Sequence, residues 1–434
     1  MKLKKGVFKI IKNFEWGGIN CSKLAEQYGT PLYVYDEQII ISRCQEIREK
    51  FLKRWENTSA CYASKAFSIK AIAKLISNEG LGIDAISLGE LHTALRVGFP
   101  AEKIELHGNA KSYEEIFEAL NCGVGRIVVD SEDELKLISE VAEKLDKTAK
   151  ILLRISPGVK AHTHSYISTG YTGSKFGFPI EGEMLRRAVK NAISNKFIDL
   201  KGLHFHVGSQ LFNSEDHIFA LKKMIKLMAE LKQEFDFTTR EINLGGGFGA
   251  VKNPSETHVP LEIFTDSMMR ILTDECKANN LERPHAIIEP GRWIISEAGI
   301  TIYKIEVVKE LPEVTYIAVN GGMADNPRYE LYNAEYEAVS VNNPNGEIYV
   351  PENNAKVSIV GKCCESGDIL IENAKLPKVR RGDLIALYNT GAYTFSMASN
   401  YNRLTRPAVV FVNNGNAKLV VRRQTIDDLL SCDL

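Results

Sequence analysis

A chain of 434 residues that is 44% hydrophobic and 25% charged, with a net charge of −1, has the make-up of a soluble globular protein of two domains. That balance gives no electrostatic pull toward nucleic acid or acidic membranes. No segment is apolar and long enough to span a bilayer, and Lys9 and Lys12 interrupt the run a signal peptide would need. The eight cysteines form no CxxC pair and no regular framework, which excludes a disulfide scaffold and points to reduced thiols in a cytoplasm.

In chain order, Phe8-Lys9-Ile10-Ile11 is a short apolar stretch, Cys21 to Tyr28 is a helix candidate, and Pro31 to Tyr35 reads as a strand. Asp36 caps a long amphipathic helix running to about Trp55. Eight β-rich apolar runs follow, at 60–65, 82–87, 104–108, 126–130, 150–156, 200–207, 241–246 and 285–289, with helical periodicity between them. Ser87 with Glu90, Ser112 with Glu115 and Ser131 with Glu134 have capping-box spacing just past three of these runs. Strand and helix alternating eight times is the count of a (β/α)8 TIM-like barrel, an α/β fold. A doubly wound sheet is the structural rival, weakened by the lack of GxGxxG after the first strand.

After about residue 298 the pattern turns to β. Ile300 to Val308 alternates, and further strands are expected at 316–319, 357–360 and 384–387. Val409 to Val412 and Leu419 to Arg422 flank Asn413-Asn414-Gly415-Asn416, a hairpin signal. Asn342 to Asn354 reads as an exposed loop. The second domain is thus mostly antiparallel β, and the N-terminal strand joins it. The division expected is a barrel at 36–297 inserted into a β domain made of 1–35 and 298–434.

Barrel strands deliver their C-terminal ends to one face. Those ends carry Lys65, His107, Arg154, His206, the glycines after Asn243, and Glu289. A lysine ending an apolar strand either reaches solvent or, partly desolvated, offers an uncharged amine that condenses with an aldehyde. Gly245-Gly246-Gly247 is either a tight turn or a backbone N–H cradle for an anion, and its place after the seventh strand favours the cradle. His204 and His206 face one side of their strand; His204 reads as a satisfied core histidine, whereas His206 can stack on a flat ring. The Ser209 hydroxyl can bind phosphate. Glu289-Pro290-Gly291-Arg292 is a plausible turn, but a carboxylate there would keep an aromatic nitrogen protonated. In the β domain, Cys363 and Cys364 adjoin Glu365, with no histidine nearby in sequence to make a metal centre. Tyr393 ends another strand, and Arg328 and Tyr332 sit in a Pro-containing loop.

Together YASKA, HGNAKS, HFHVGSQ, GGGFG, EPGR, CCESGD and GAYTFSMASNYN resemble the fold-type III pyridoxal-phosphate decarboxylases, and among them the diaminopimelate decarboxylases. AHTHSYISTG from 161 to 170, SKFG from 174 to 177, NPRYELYNAEYEA and RRQTIDDLL also resemble that subfamily, so the likeness covers nearly the whole chain. It implies pyridoxal 5′-phosphate held covalently by Lys65, with His206 stacked on the ring and Glu289 paired with the ring nitrogen. Ser209, Gly245, Gly246, Gly247, the turn through Gly291 and Arg292, and Tyr393 would bind the phosphate. Arg292, Arg328 and Tyr332 would grip the distal carboxylate of the substrate, and Glu365 its distal ammonium. Cys364 would return a proton to the α-carbon. Cys364 and Glu365 come from the partner subunit in the family, which implies a homodimer, and no metal is called for. Leu88, Ala110 and Asn320 depart from the family's usual glycine, asparagine and aspartate.

The reaction implied is meso-diaminopimelate to L-lysine and carbon dioxide, the last step of lysine synthesis. Rivals on the same fold are decarboxylases of ornithine, arginine or carboxynorspermidine; Arg328 with Tyr332 argues against those whose substrate has no distal carboxylate. A racemase would need a base on each face of the α-carbon, for which CCESGD is ill suited. A non-catalytic carrier of the cofactor would lack the second domain.

Overall fold

The computed structural model describes residues 14–158, 174–251 and 255–434. The stretch Phe8 to Ile11 and the motif from His162 to Gly170 lie outside the described residues. The chain divides into two compact units, one of residues 14–39, 255–256 and 297–434, the other of residues 40–251 and 257–296.

The second of these is a closed barrel. Thr58–Ala63, Gly82–Ala85, Ile104–Leu106, Arg126–Val129, Ala149–Ser156, Ile198–Phe205, Glu241–Asn243 and His285–Ile288 follow one another around it, and the last pairs with the first at Ile287 and Ser59. All eight expected runs are strands, all parallel, and closure rules out the doubly wound sheet. Helices cover the outside through apolar stripes: Lys70–Asn78 buries Ile72, Ala73, Leu75 and Ile76, each large side chain contributing roughly 1.5–3 kcal/mol. Of the three expected capping boxes, only Ser112 with Glu115 is reciprocal. Ser87 and Ser131 cap their helices, but Glu90 turns to Ser64 Oγ and Glu134 to Lys111. Buried partners outcompete the local loop for those carboxylates.

The other unit is a curved sheet in the order Ile369–Ile371, Lys356–Val360, Val314–Val319, Gly299–Glu310, Leu32–Asp36, Ala408–Asn413, Asn416–Val421. Leu384–Leu387 also pairs with Gly299–Glu310. Pairing is antiparallel except where Val314–Val319 meets Lys356–Val360 and Leu32–Asp36 meets Ala408–Asn413. The expected hairpin turns on Asn414 at φ 48° and Gly415 at φ 79°, the double positive φ that such two-residue turns need. Leu32, Tyr33, Val34 and Tyr35 are all buried because apolar clusters line both faces of this sheet. Arg328 and Tyr332, expected in a loop, lie on a short helix, Arg328–Tyr332, entered from Pro327.

Candidate active site

At the mouth of the barrel the first strand stops at Ala63, and Ser64–Ala66 forms one turn of 3-10 helix. Lys65 is therefore exposed, not strand-buried, and its Nζ forms no hydrogen bond with the described residues. The turn that carries it is fixed by carboxylates: Ser64 N–H donates to Asp84 Oδ1 at 2.9 Å and Ser64 Oγ to Glu90 Oε2 at 2.8 Å. Burial raises Asp84 to about 8, against the opposing pull of His107 and Lys65.

Beneath the mouth runs a column of polar side chains inside the barrel. Arg126 donates to Glu105 at 3.3 Å and to Glu241 at 3.1 Å. The Asn243 Nδ2 group donates to Glu105 at 3.0 Å and to Glu289 at 2.7 Å. His107 Nε2 stands 3.1 Å and His204 Nε2 3.3 Å from Glu289 Oε1. Burial alone would protonate Glu289, but His107 and His204 outweigh it and hold the carboxyl well below its ordinary range. Burial works against charge on His107 too, yet Glu289 and Glu105 raise its pKa to about 10. Desolvation dominates at His204 and lowers it to about 4. Glu289 is thus an ionised carboxylate at the strand end, flanked by one cationic and one neutral imidazole. His204 is more than the core histidine expected: its Nε2 serves Glu289, while its Nδ1 is buried with no hydrogen-bond partner among the described residues. His107, His204 and Glu289 have ligand atoms close enough to hold a metal ion, but both imidazoles are already spent on the carboxylate.

Beside this column the seventh strand runs into the glycine turn. Gly245 and Gly247 have φ of 69° and 94°. A Cβ on Gly246 would meet the Glu289 carbonyl oxygen at 2.1 Å, and one on Gly247 the Gly208 carbonyl oxygen at 2.2 Å, so only glycine permits this approach. The Gly246 N–H donates to His206 Nδ1 at 3.2 Å, which places the proton of the neutral ring on Nε2. Desolvation, then the Lys65 and Arg154 cations, depresses His206 well below 6.5. Arg292 donates to Ser209 Oγ at 3.4 Å. A Cβ on Gly291 would come 2.8 Å from that of Ala63, so the eighth strand end packs directly on the first. Lys111, by contrast, is a structural lysine, buried with Nζ on Gly108 O, Val128 O and Glu134 at 2.6, 2.6 and 2.7 Å.

The sheet unit carries the remaining candidates on three segments. The Arg328 guanidinium lies 5.0 Å from the ring centre of Tyr332 and 5.2 Å from that of Tyr393. It is 7% exposed, and no acidic side chain among the described residues pairs with it. Tyr393 holds a φ of 62°. Cys364 and Glu365 are exposed on the next loop, where the Cys364 N–H donates to Asn402 Oδ1 at 2.8 Å, while Cys363 is buried. Asp84 and Glu105 join these clusters without lying in any motif, and Asn243 was marked only by its place ahead of the glycines; Asp368 and Asn402 close the CCESGD and GAYTFSMASNYN motifs but were not singled out there.

A sequence profile for the pyridoxal binding domain of pyridoxal-dependent decarboxylases matches residues 37–296, the length of the barrel unit. A diaminopimelate decarboxylase of Bacillus subtilis (strain 168) is 43% identical over 97% of this chain and 95% of its own. The chain belongs to the diaminopimelate decarboxylase family of pyridoxal-dependent decarboxylases. Solved members of that family superpose over nearly its whole length. The diaminopimelate decarboxylase of M. jannaschii in complex with L-lysine matches at a TM-score of 0.91 and 34% identity, over 98% of this chain and 96% of that one. The Helicobacter pylori enzyme complexed with L-lysine matches at 0.85 and 32%, over 95% and 98%. The family's cofactor is pyridoxal 5′-phosphate, and the barrel residues fit it. An exposed amine with no hydrogen bond among the described residues, a buried ionised carboxylate and a side-chain-free glycine turn beside Ser209 and Arg292 match its aldehyde, ring nitrogen and phosphate in turn.

Proposed function

We propose that this chain decarboxylates meso-2,6-diaminopimelate to L-lysine and carbon dioxide, as the last step of lysine synthesis. One observation carries the choice of substrate: Arg328, buried between two aromatic rings, has no acidic partner among the described residues. A cation kept dry and unpaired is costly unless a ligand carboxylate completes it. Ornithine and other substrates without a distal carboxylate leave it uncompensated.

When bound, pyridoxal phosphate supplies a carbonyl that condenses with amines and a ring that accepts electrons. Lys65 would hold that group through its side-chain amine. The glycine turn, Ser209, Arg292 and Tyr393 hold its phosphate. His206 would stack on the ring, and Glu289 would keep the ring nitrogen protonated, the state in which the group serves as an electron sink. Arg328, Tyr332 and Arg292 bind the distal carboxylate, and Glu365 the distal ammonium. The Cys364 thiol gives its proton to the α-carbon.

Cys364 and Glu365 serve the barrel of a partner subunit in a two-fold homodimer, where each copy gives what it receives. The protein works in the cytoplasm, where its free thiols persist. No helix among the described residues is long and apolar enough to cross a membrane.

The activity is tested by incubating purified protein and cofactor with meso-diaminopimelate and measuring carbon dioxide and lysine. Release of carbon dioxide from ornithine at a higher kcat/KM would overturn the substrate assignment. The dimer is tested with Lys65→Ala and Cys364→Ala proteins, each nearly inactive alone. Mixing with subunit exchange makes half the dimers hybrid, each with one intact site, so activity returns to about a quarter of wild type. No recovery, with exchange confirmed by a tag, means Cys364 serves its own chain.

A further inference from the structure

The buried acid Asp368 plays no part in the chemistry above, yet it touches both loops that carry the substrate-facing candidates of the sheet unit. Its Oδ1 accepts the Met323 N–H at 2.6 Å, five residues before Arg328, and its Oδ2 accepts the Cys363 N–H at 2.7 Å, next to Cys364. The carboxylate is 4% exposed. It fills a slot walled by two glycines: a Cβ on Gly322 would lie 2.5 Å from its oxygens and one on Gly361 at 2.3 Å. The same two loops meet again where Lys362 N–H donates to Gly321 O at 2.9 Å, and the Gly322 N–H is held from the other side by Asp325 Oδ1 at 2.9 Å. A third segment braces each loop separately, Ser399 N–H on Ala324 O at 2.8 Å and Asn402 Oδ1 on Cys364 N–H at 2.8 Å.

We propose that Asp368 is a positioning residue that locks the Cys364–Glu365 loop, which serves the partner's barrel, to the Arg328–Tyr332 segment, so that the parts this chain supplies to the two-fold pair of sites keep a fixed register. Two backbone N–H groups from different loops share one carboxylate; neither loop can shift without breaking a charge-assisted bond in a site closed to water. Nothing larger than glycine fits at the walls, and no longer acid fits between them. The proposal rests on the roles given above to Cys364 and Arg328.

The test compares cofactor-loaded Asp368→Asn and Asn402→Ala with wild type. An asparagine has the same shape but turns an N–H2 toward one of the two donors, whichever way it sits. In Asp368→Asn, amide hydrogen exchange should rise about tenfold or more in both 321–328 and 361–367, while strand 408–413 keeps its wild-type protection. The KM for diaminopimelate should rise and the rate of Cys364 alkylation by iodoacetamide should change together, with Cys432 as internal reference. Asn402→Ala, which leaves Asp368 in place, should change Cys364 alkylation without raising exchange in 321–328. Exchange that rises in one loop alone, or equally in 408–413, overturns the proposal. If Asp368→Asn does not fold, Gly361→Ala, which crowds the same carboxylate, must loosen both loops together or the proposal fails. If Cys364→Ala and Arg328→Ala stay active while the joint exchange is seen, the roles of those residues are wrong and the lock stands.

Discussion

His107 Nε2 lies 3.1 Å from Glu289 Oε1, and the two share the floor of the barrel mouth as a cation and an anion. The pKa of His107 is raised to about 10, so its contribution to stability is complete below its ordinary 6.5 and is lost as pH rises toward 10. Glu289 is depressed, so its contribution is present above 4.5 and is lost as pH falls below that value. His107→Gln should therefore flatten the fall in stability between pH 6.5 and 10 in the cofactor-free protein. Urea unfolding across that range measures it; an unchanged slope would show that His107 is neutral in the fold.

Glu289→Gln should separate binding from chemistry. The phosphate contacts and Lys65 remain, so the cofactor should still bind and colour the protein. Turnover should drop by orders of magnitude, because a neutral amide no longer holds the ring nitrogen protonated. A near-normal kcat would remove Glu289 from the reaction.

Arg328→Ala should weaken binding of diaminopimelate far more than binding of L-lysine, which lacks the distal carboxylate. A bidentate charge-assisted contact in a dry site is worth a few kcal/mol, on the order of a hundredfold. Equal losses for the two compounds, measured by competition with a common ligand, would mean that the residue supports its loop and reads nothing.

Ala110 is exposed at a φ of 54°, in the left-handed region where a Cβ is strained and asparagine is tolerated. Ala110→Asn should raise the unfolding free energy by about 0.5–1 kcal/mol with activity unchanged. A loss of stability would show that the turn gains from alanine something beyond its backbone.

The barrel was legible because its signal is repeated: eight apolar runs need no single boundary to be right, and the strand ends carried Lys65, His206 and Glu289 in the open. The contacts between those ends were not. That His204 would serve Glu289, or that Glu90 would leave its capping role for Ser64, depends on strands more than twenty residues apart coming side by side. Asp368 was visible only as the last letter of a motif, since its partners are backbone N–H groups, which leave no trace in side-chain identity. The exposed Lys65 followed from a turn three residues long, below what periodicity resolves.

The strand Leu32–Asp36 sits between Gly299–Glu310 and Ala408–Asn413, with Leu32 opposite both Ile302 and Ala408. On the ribosome it emerges before the whole barrel and must wait for neighbours made hundreds of residues later. The barrel strands, from Thr58–Ala63 to His285–Ile288, are complete as soon as the eighth is out. The sheet that carries Arg328 and Cys364 is zipped shut only when Ala408–Asn413 arrives, so an interrupted chain keeps a folded cofactor domain and an apolar strand with open edges. Translation order thus makes the lysine-bearing half of the protein early and self-sufficient, and leaves the other half as the step at which nascent chains are exposed to aggregation.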